Sequence, residues 1–134
     1  MEVTGWILDK SAAARLDHEI VRTELQELSG TLYICPVGAL EQLYSARSAD
    51  EYDELTADLA TAFPRAEAPA DVFDRALGLQ RDLAHHHGMW HRTAIPDLLI
   101  AETALHNGLG VVHVDRDYDR IAEIRPLQSR RLRV

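Results

Sequence analysis

The chain has 134 residues, a length that fits one domain and can bury a core without disulfide bonds or a structural metal. There are 14 Lys and Arg residues against 22 Asp and Glu, so the formal net charge is −8, which argues against nonspecific coating of nucleic acid or membrane. The single cysteine, Cys35, excludes an intramolecular disulfide, and we expect it to be an inert core residue. The chain begins without a secretory-signal pattern and no apolar run reaches about 18 residues, so we expect a cytoplasmic protein with no membrane partner.

Short apolar runs alternate with longer segments of helical periodicity. In chain order we predict a strand over 3–8, a turn capped by Ser11, a helix over 18–28, a strand over 31–35, helices over 36–46 and 48–63, a minor edge strand over 64–68, and a helix over 69–86. There follow a loop over 88–95, a helix over 96–108, a strand over 110–114, a helix over 117–124, and an edge strand or tail over 126–134. Strands alternating with helices are typical of a parallel sheet covered on both faces.

Four separated segments each place a carboxylate near one edge of this sheet. Asp9 follows the first strand and Asp115 follows the strand over 110–114. Glu41 lies in the helix after the second strand, and Asp97 lies at the start of the helix that precedes the strand over 110–114. Ligands of open α/β sheets bind beyond the carboxyl ends of the strands, and carboxylates gathered there need a cation such as Mg²⁺ or Mn²⁺. The alternative is that these acids cap and solvate helices, and for Asp97 taken alone that alternative is the stronger one.

The same segments resemble those of PIN-domain proteins, and specifically the VapC-type toxins of bacterial toxin–antitoxin pairs. The matching pieces are ILDKSA at 7–12, ALEQLYSAR at 39–47, IPDLLIAETALHNG at 95–108 and VVHVDRDYDRI at 111–121. The resemblance implies a single PIN domain over residues 1–134, built as a three-layer α/β/α sandwich around a central parallel sheet. It also implies an Mg²⁺-dependent endoribonuclease in which Mn²⁺ can substitute.

Carried over by position, the resemblance implies four catalytic and metal-ligating acids: Asp9, Glu41, Asp97 and Asp115. It gives supporting hydrogen-bond roles to Ser11 and Asp117. The partners it implies are an RNA substrate such as tRNA or rRNA, a VapB-type antitoxin, and a second copy of the chain. Two alternatives stay open: a housekeeping PIN nuclease of RNA processing, and an inactive PIN-like module that binds a partner protein.

Other charged residues are predicted to contact substrate or to face solvent. Lys10 and His113 stand where many family members carry Thr or Ser, and we expect the Lys10 ammonium to point outward. Candidate substrate contacts are His113, Arg92 and Arg116. Glu102 and Asp119 are predicted to face solvent, and the run of arginines over 130–133 is predicted to be a solvated tail.

Overall fold

Four parallel strands form the centre of the molecule. The computed structural model describes residues 3–86, 88 and 90–133. The strands are β1 (Gly5–Leu8), β2 (Thr31–Tyr33), β3 (Gly110–His113) and β4 (Ser129–Arg131). They lie in the order β2-β1-β3-β4, and all three pairings are parallel. The predicted parallel sheet is therefore confirmed, and its two central strands come from opposite ends of the chain.

Seven α-helices lie within the described ranges: α1 (Lys10–Ala13), α2 (Glu19–Glu27), α3 (Pro36–Leu43), α4 (Ala49–Ala62), α5 (Val72–His86), α6 (Ile95–His106) and α7 (Arg116–Ala122). The predicted loop over 88–95 contains a 3₁₀ turn, Trp90–Arg92, and gives way to α6 at its last residue. Ser48 caps the N-terminus of α4, because its hydroxyl accepts the Glu51 N–H at 3.0 Å. No helix in the described part of the chain is long and apolar enough to cross a membrane.

Side chains of the central strands alternate between two hydrophobic cores. Ile7 and Val111 pack into the larger core, which also receives side chains from α5, α6 and α7. Leu8 and Val112 pack on the opposite face, together with residues of α1 and α2 such as Val21. Helices therefore cover both faces of the sheet, and the predicted three-layer arrangement is confirmed.

Two local predictions about caps and edges can be compared directly with the structure. Asp9, rather than Ser11, caps α1, because its backbone is still extended and its carboxylate accepts the Ser11 N–H at 3.0 Å. The edge strand predicted over 64–68 is reduced to one parallel bridge between Ile34 and Arg65. Cys35 is buried as predicted, and burial raises the pKa of its thiol to about 11, which leaves the sulfur unreactive at neutral pH.

The C-terminal segment is an edge strand, and the prediction of a solvated tail is wrong. Leu132 is buried against the second core. The Glu24 carboxylate, 1% exposed, accepts the backbone N–H of Arg133 at 2.7 Å and contacts the Arg133 and Arg130 guanidinium groups at 3.1 and 3.3 Å. We call Glu24, Arg130 and Arg133 the C-terminal clasp. It links β4 to α2, because the buried Glu24 carboxylate needs charged partners.

The prediction that Glu102 faces solvent is also wrong. Glu102 is 6% exposed because α6 is buried on nearly every side. Burial raises the pKa of Glu102, and the Arg125 guanidinium, 3.9 Å away, partly opposes that rise. An acid on a helix that is surrounded by other elements has no solvent-facing side to occupy.

Candidate active site

One open cavity at the carboxyl end of the sheet receives all four of the predicted acids. Its volume is about 370 Å³, and its lining includes Asp9, Glu41, Asp97 and Asp115. Asp9 and Asp97 are 3% and 5% exposed, whereas the other two are partly exposed. Because β1, α3, α6 and the segment after β3 each supply one acid, the sheet topology gathers charges that are far apart in sequence.

The Asp9 carboxylate is held by donors on both of its oxygens. Its Oδ2 accepts the Ser11 N–H at 3.0 Å and the Ser11 hydroxyl at 2.6 Å, and its Oδ1 accepts the Tyr118 hydroxyl at 2.7 Å. The Ser11 oxygen in turn accepts the Val114 N–H at 2.9 Å. Ser11 therefore both orients Asp9 and connects the end of β1 to the end of β3.

Three acids converge most closely on one another. One oxygen each from Asp97, Asp115 and Asp117 lies within 4.8 Å of the other two, and we call these residues the acid cluster. The Asp115 carboxylate caps α7 by accepting the Asp117 N–H at 3.0 Å. Asp117 accepts the N–H of Ala94 at 3.4 Å, which joins α7 to the start of α6. The structure thus places Asp117, assigned a supporting role from the sequence, among the candidate ligands.

Burial and mutual repulsion raise the pKa values of two acids in the cavity. Burial, with added repulsion from Asp9 and Asp115, raises the pKa of Asp97 to about 9. Burial and the charge of Asp9 also raise the pKa of Glu41, and only the Lys10 ammonium opposes that rise. A divalent cation would remove this repulsion.

Two buried oxygens in the cavity have no hydrogen-bond partner in the described structure: Asp97 Oδ2 and Glu41 Oε1. Buried polar atoms are nearly always satisfied, so these two oxygens are available to bind a ligand in the cavity. Carboxylate oxygens are the ligands that Mg²⁺ and Mn²⁺ prefer. The residues present therefore fit a divalent metal, with the acid cluster as the nearest set of ligands and Asp9 and Glu41 on the same cavity wall.

Tyr118 is a residue of the site that was not predicted from the sequence. This side chain is fully buried, and its hydroxyl lies 2.7 Å from Asp9 Oδ1 and 3.2 Å from Asp97 Oδ1. Burial and the two carboxylates raise the pKa of the phenol well above its usual value, so it is a hydrogen-bond donor at neutral pH. The available signal is its helical spacing, since Tyr118 lies three residues before the buried Ile121 and therefore faces inward.

The position of His113 argues against the predicted substrate contact. Its side chain is fully buried in the sheet. Nδ1 accepts the Asp115 N–H at 3.0 Å, so the proton belongs on Nε2, which donates to the Ser129 hydroxyl at 2.6 Å. The serine donates to Asp119, which is half-buried rather than a purely solvated charge. Burial lowers the pKa of His113, although Asp119 opposes this, and the ring is neutral.

The cations near the cavity divide into two groups. Lys10 and Arg15 line its wall, and the Arg15 guanidinium donates to the Ser11 carbonyl at 2.6 Å. Lys10 is exposed as predicted, yet it is close enough to lower the pKa of Glu41. Arg92 and Arg116 are exposed and do not line the cavity.

Comparison with known families decides how this arrangement is classified. A family model described as "PIN domain" matches residues 6–124. The chain belongs to the PIN-domain family. Within that family it is 56% identical to Ribonuclease VapC17 of Mycobacterium tuberculosis over 124 residues, 92% of each chain. It is 44% identical to Ribonuclease VapC18 of the same species, over 79% of this chain and 78% of the relative.

Solved structures show the same PIN fold. One neighbour is VapBC-1 from nontypeable Haemophilus influenzae, with a TM-score of 0.74, 14% identity, and coverage of 95% of this chain and 97% of that one. Another is VapBC-5 from Mycobacterium tuberculosis, a member of the VapBC family of toxin-antitoxin systems, with a TM-score of 0.66, 21% identity, and coverage of 96% and 99%. At these identities the structures establish the fold of the PIN domain.

Proposed function

We propose that this PIN domain is a divalent-metal-dependent endoribonuclease and the toxin of a VapBC-type toxin–antitoxin pair. The observation that carries the proposal is one cavity lined by acids from four separated segments. Two of these acids, Glu41 and Asp97, have a buried oxygen without a hydrogen-bond partner in the described structure. The relatives named ribonucleases, matched over most of their length, support the same activity.

The acids differ in how closely they approach one another. Asp97, Asp115 and Asp117 are close enough to share an ion, and Asp9 and Glu41 line the same cavity. Bound Mg²⁺ or Mn²⁺ supplies Lewis-acid chemistry that activates water and stabilises the negative charge of a phosphodiester undergoing in-line displacement. No serine or cysteine nucleophile is required, which agrees with the inert Cys35.

An RNA backbone must approach a cavity that carries a strong negative charge. Lys10 and Arg15 line that cavity, whereas Arg92 and Arg116 are exposed and do not line it. Cations in these positions can receive phosphates on either side of the scissile bond. We propose a structured RNA such as tRNA or rRNA as the substrate, and the cytoplasm as the compartment in which the enzyme meets it.

The activity is tested by Asp→Asn substitutions that keep shape and remove charge. Asp9→Asn and Asp97→Asn are expected to abolish Mg²⁺-dependent RNA cleavage and growth arrest, while the exposed Asp58→Asn on α4 retains both. Wild-type rates in either acid variant would refute the site. Absence of Mn²⁺ binding at millimolar concentration would favour an inactive PIN-like module, and cleavage without toxicity would favour a housekeeping nuclease.

The partner assignments are tested separately. Co-expression of the small gene adjacent to this one is expected to rescue growth if its product is the VapB-type antitoxin. An antitoxin arginine placed among the acids would replace the charge of the metal and inhibit the enzyme. Persistent toxicity in the presence of the neighbouring gene product would remove that assignment.

An apolar surface supports the proposed homodimer. Phe73, Leu77 and Ile95 are 70%, 63% and 66% exposed, and they line one groove between α5 and α6. Exposed apolar side chains gathered on one face are typical of a protein interface. Light scattering is expected to show a dimer for the wild type and a monomer for Phe73→Glu. A monomeric wild type would remove the dimer from the proposal.

A further inference from the structure

Tyr118 lies between two acids that come from different elements. Its hydroxyl is 2.7 Å from Oδ1 of Asp9, which follows β1, and 3.2 Å from Oδ1 of Asp97, which begins α6. The phenol is fully buried, and its ring packs against the His113 ring at a centroid distance of 4.8 Å. A buried phenol needs a hydrogen-bond partner, but one carbonyl would satisfy it. Here it meets two carboxylates at once.

The position of this hydroxyl determines which oxygens of the two acids remain available. On Asp9, Oδ1 accepts from Tyr118 while Oδ2 accepts from Ser11, so the carboxylate cannot rotate without losing a donor. On Asp97, Oδ1 faces Tyr118, which leaves Oδ2 as the buried oxygen without a partner. When both acids are ionised, as metal binding requires, a donor placed between them offsets their repulsion.

We propose that Tyr118 is a positioning residue that fixes the carboxylates of Asp9 and Asp97 for a divalent metal. The inference rests on the proposed function, since it assumes that these acids face a bound ion. Helix α7 contacts four of the five acids of the site, all except Glu41: it carries Asp117, is capped by Asp115, and reaches Asp9 and Asp97 through the Tyr118 hydroxyl. Partners that orient metal ligands commonly change metal affinity about 10–100-fold when removed.

The test is Tyr118→Phe, which keeps the packed ring and removes the hydroxyl alone. The matched control is Thr103→Val on α6, which removes another fully buried hydroxyl. That hydroxyl donates to the Leu99 carbonyl at 2.8 Å and makes no hydrogen bond to the acids of the cavity within the described part of the chain. Calorimetry on the full chain measures the dissociation constants of Mn²⁺ and Ca²⁺. For Tyr118→Phe the Mn²⁺ constant is expected to rise about 10–100-fold, and Thr103→Val is expected to bind as the wild type does.

The comparison of two ions separates positioning from general loosening of the fold. Mn²⁺ resembles Mg²⁺ in its demand for short, nearly octahedral ligation, whereas Ca²⁺ accepts longer and more variable distances. Loss of the positioning hydroxyl should therefore weaken Mn²⁺ several-fold more than Ca²⁺. Equal losses for both ions, no loss, or failure of Tyr118→Phe to fold would overturn the inference. A wild type that binds no Mn²⁺ would refute the proposed function as well.

Discussion

Asparagine at position 97 should stabilise the protein when metal is absent. Asp97 is 5% exposed, and burial together with Asp9 and Asp115 raises its pKa to about 9 from 3.8 in an unfolded chain. One pKa unit corresponds to about 1.4 kcal/mol, so holding this carboxyl in its protonated form at pH 7 costs the folded state on the order of 4 kcal/mol. Asparagine is neutral and nearly isosteric, so it removes that cost.

The expected gain is smaller than the full cost because the asparagine amide brings N–H groups that must themselves be satisfied in the same buried site. We expect Asp97→Asn to gain about 2 kcal/mol, or roughly 5–10 °C in Tm for a domain of this size. Thermal unfolding in EDTA at pH 7.5 measures it, with the exposed Asp58→Asn as the control that should not move. An unchanged or lower Tm for Asp97→Asn would refute the electrostatic account of the cavity.

The pH dependence gives the sign of the effect independently. The folded wild type keeps a proton on Asp97 that the unfolded chain releases, so its stability in EDTA falls as pH rises from about 4 to about 9. The Tm difference between Asp97→Asn and wild type should therefore widen from pH 5 to pH 8. Excess Mn²⁺ should reverse the order, because only the wild type is stabilised by the bound ion.

Three further outcomes are expected. Between pH 6 and pH 8, calorimetry should show that Mn²⁺ affinity rises about tenfold per pH unit. The reason is that binding displaces a proton from the Asp97 carboxyl, whose pKa is raised to about 9. An affinity that does not change with pH would contradict this. Glu24→Gln should lower the free energy of unfolding in urea by about 1.5–3 kcal/mol, and less near pH 3, because hydrogen bonds from Arg133 outweigh burial and lower the pKa of the carboxyl. The control is Glu54→Gln, at an exposed position on α4. Gly110→Ala should lower the free energy of unfolding by about 1–3 kcal/mol in the same assay, because its Cβ would lie 2.5 Å from the Trp6 ring. Gly78→Ala has open space around its Cβ and should stabilise α5. Equal effects of the two substitutions would contradict the packing argument.

The sheet and most of the acid site could be predicted because the signals are local. An apolar run that ends in an acid marks the carboxyl end of a strand, and this pattern places Asp9 and Asp115. The proline and acid at 96–97 mark the start of a helix in the same way. Parallel pairing then brings these acids to one edge without any knowledge of the contacts between them.

The rest depends on partners that are distant in sequence. Glu24 carries the ordinary pattern of a surface helix, and only the return of Arg133, 109 residues later, makes it a buried partner. Glu102 has no visible polar face because α6 is enclosed by other elements, so helical periodicity indicates nothing about its exposure. Tyr118 reads as a core aromatic, and only tertiary structure shows that its hydroxyl reaches Asp9 and Asp97.

The pairing of β1 with β3 joins segments that are made at different times during synthesis. Asp9 and the hydroxyl that orients it are 109 residues apart. A ribosome adding 5–20 residues per second needs roughly 5–20 s to cover that distance. Throughout that interval the nascent chain carries its first acid without the neighbours that would give it affinity for a metal. The site is therefore complete only after residue 118 has been made, and a chain interrupted before that point lacks the Tyr118 donor to Asp9 and the acid at position 117.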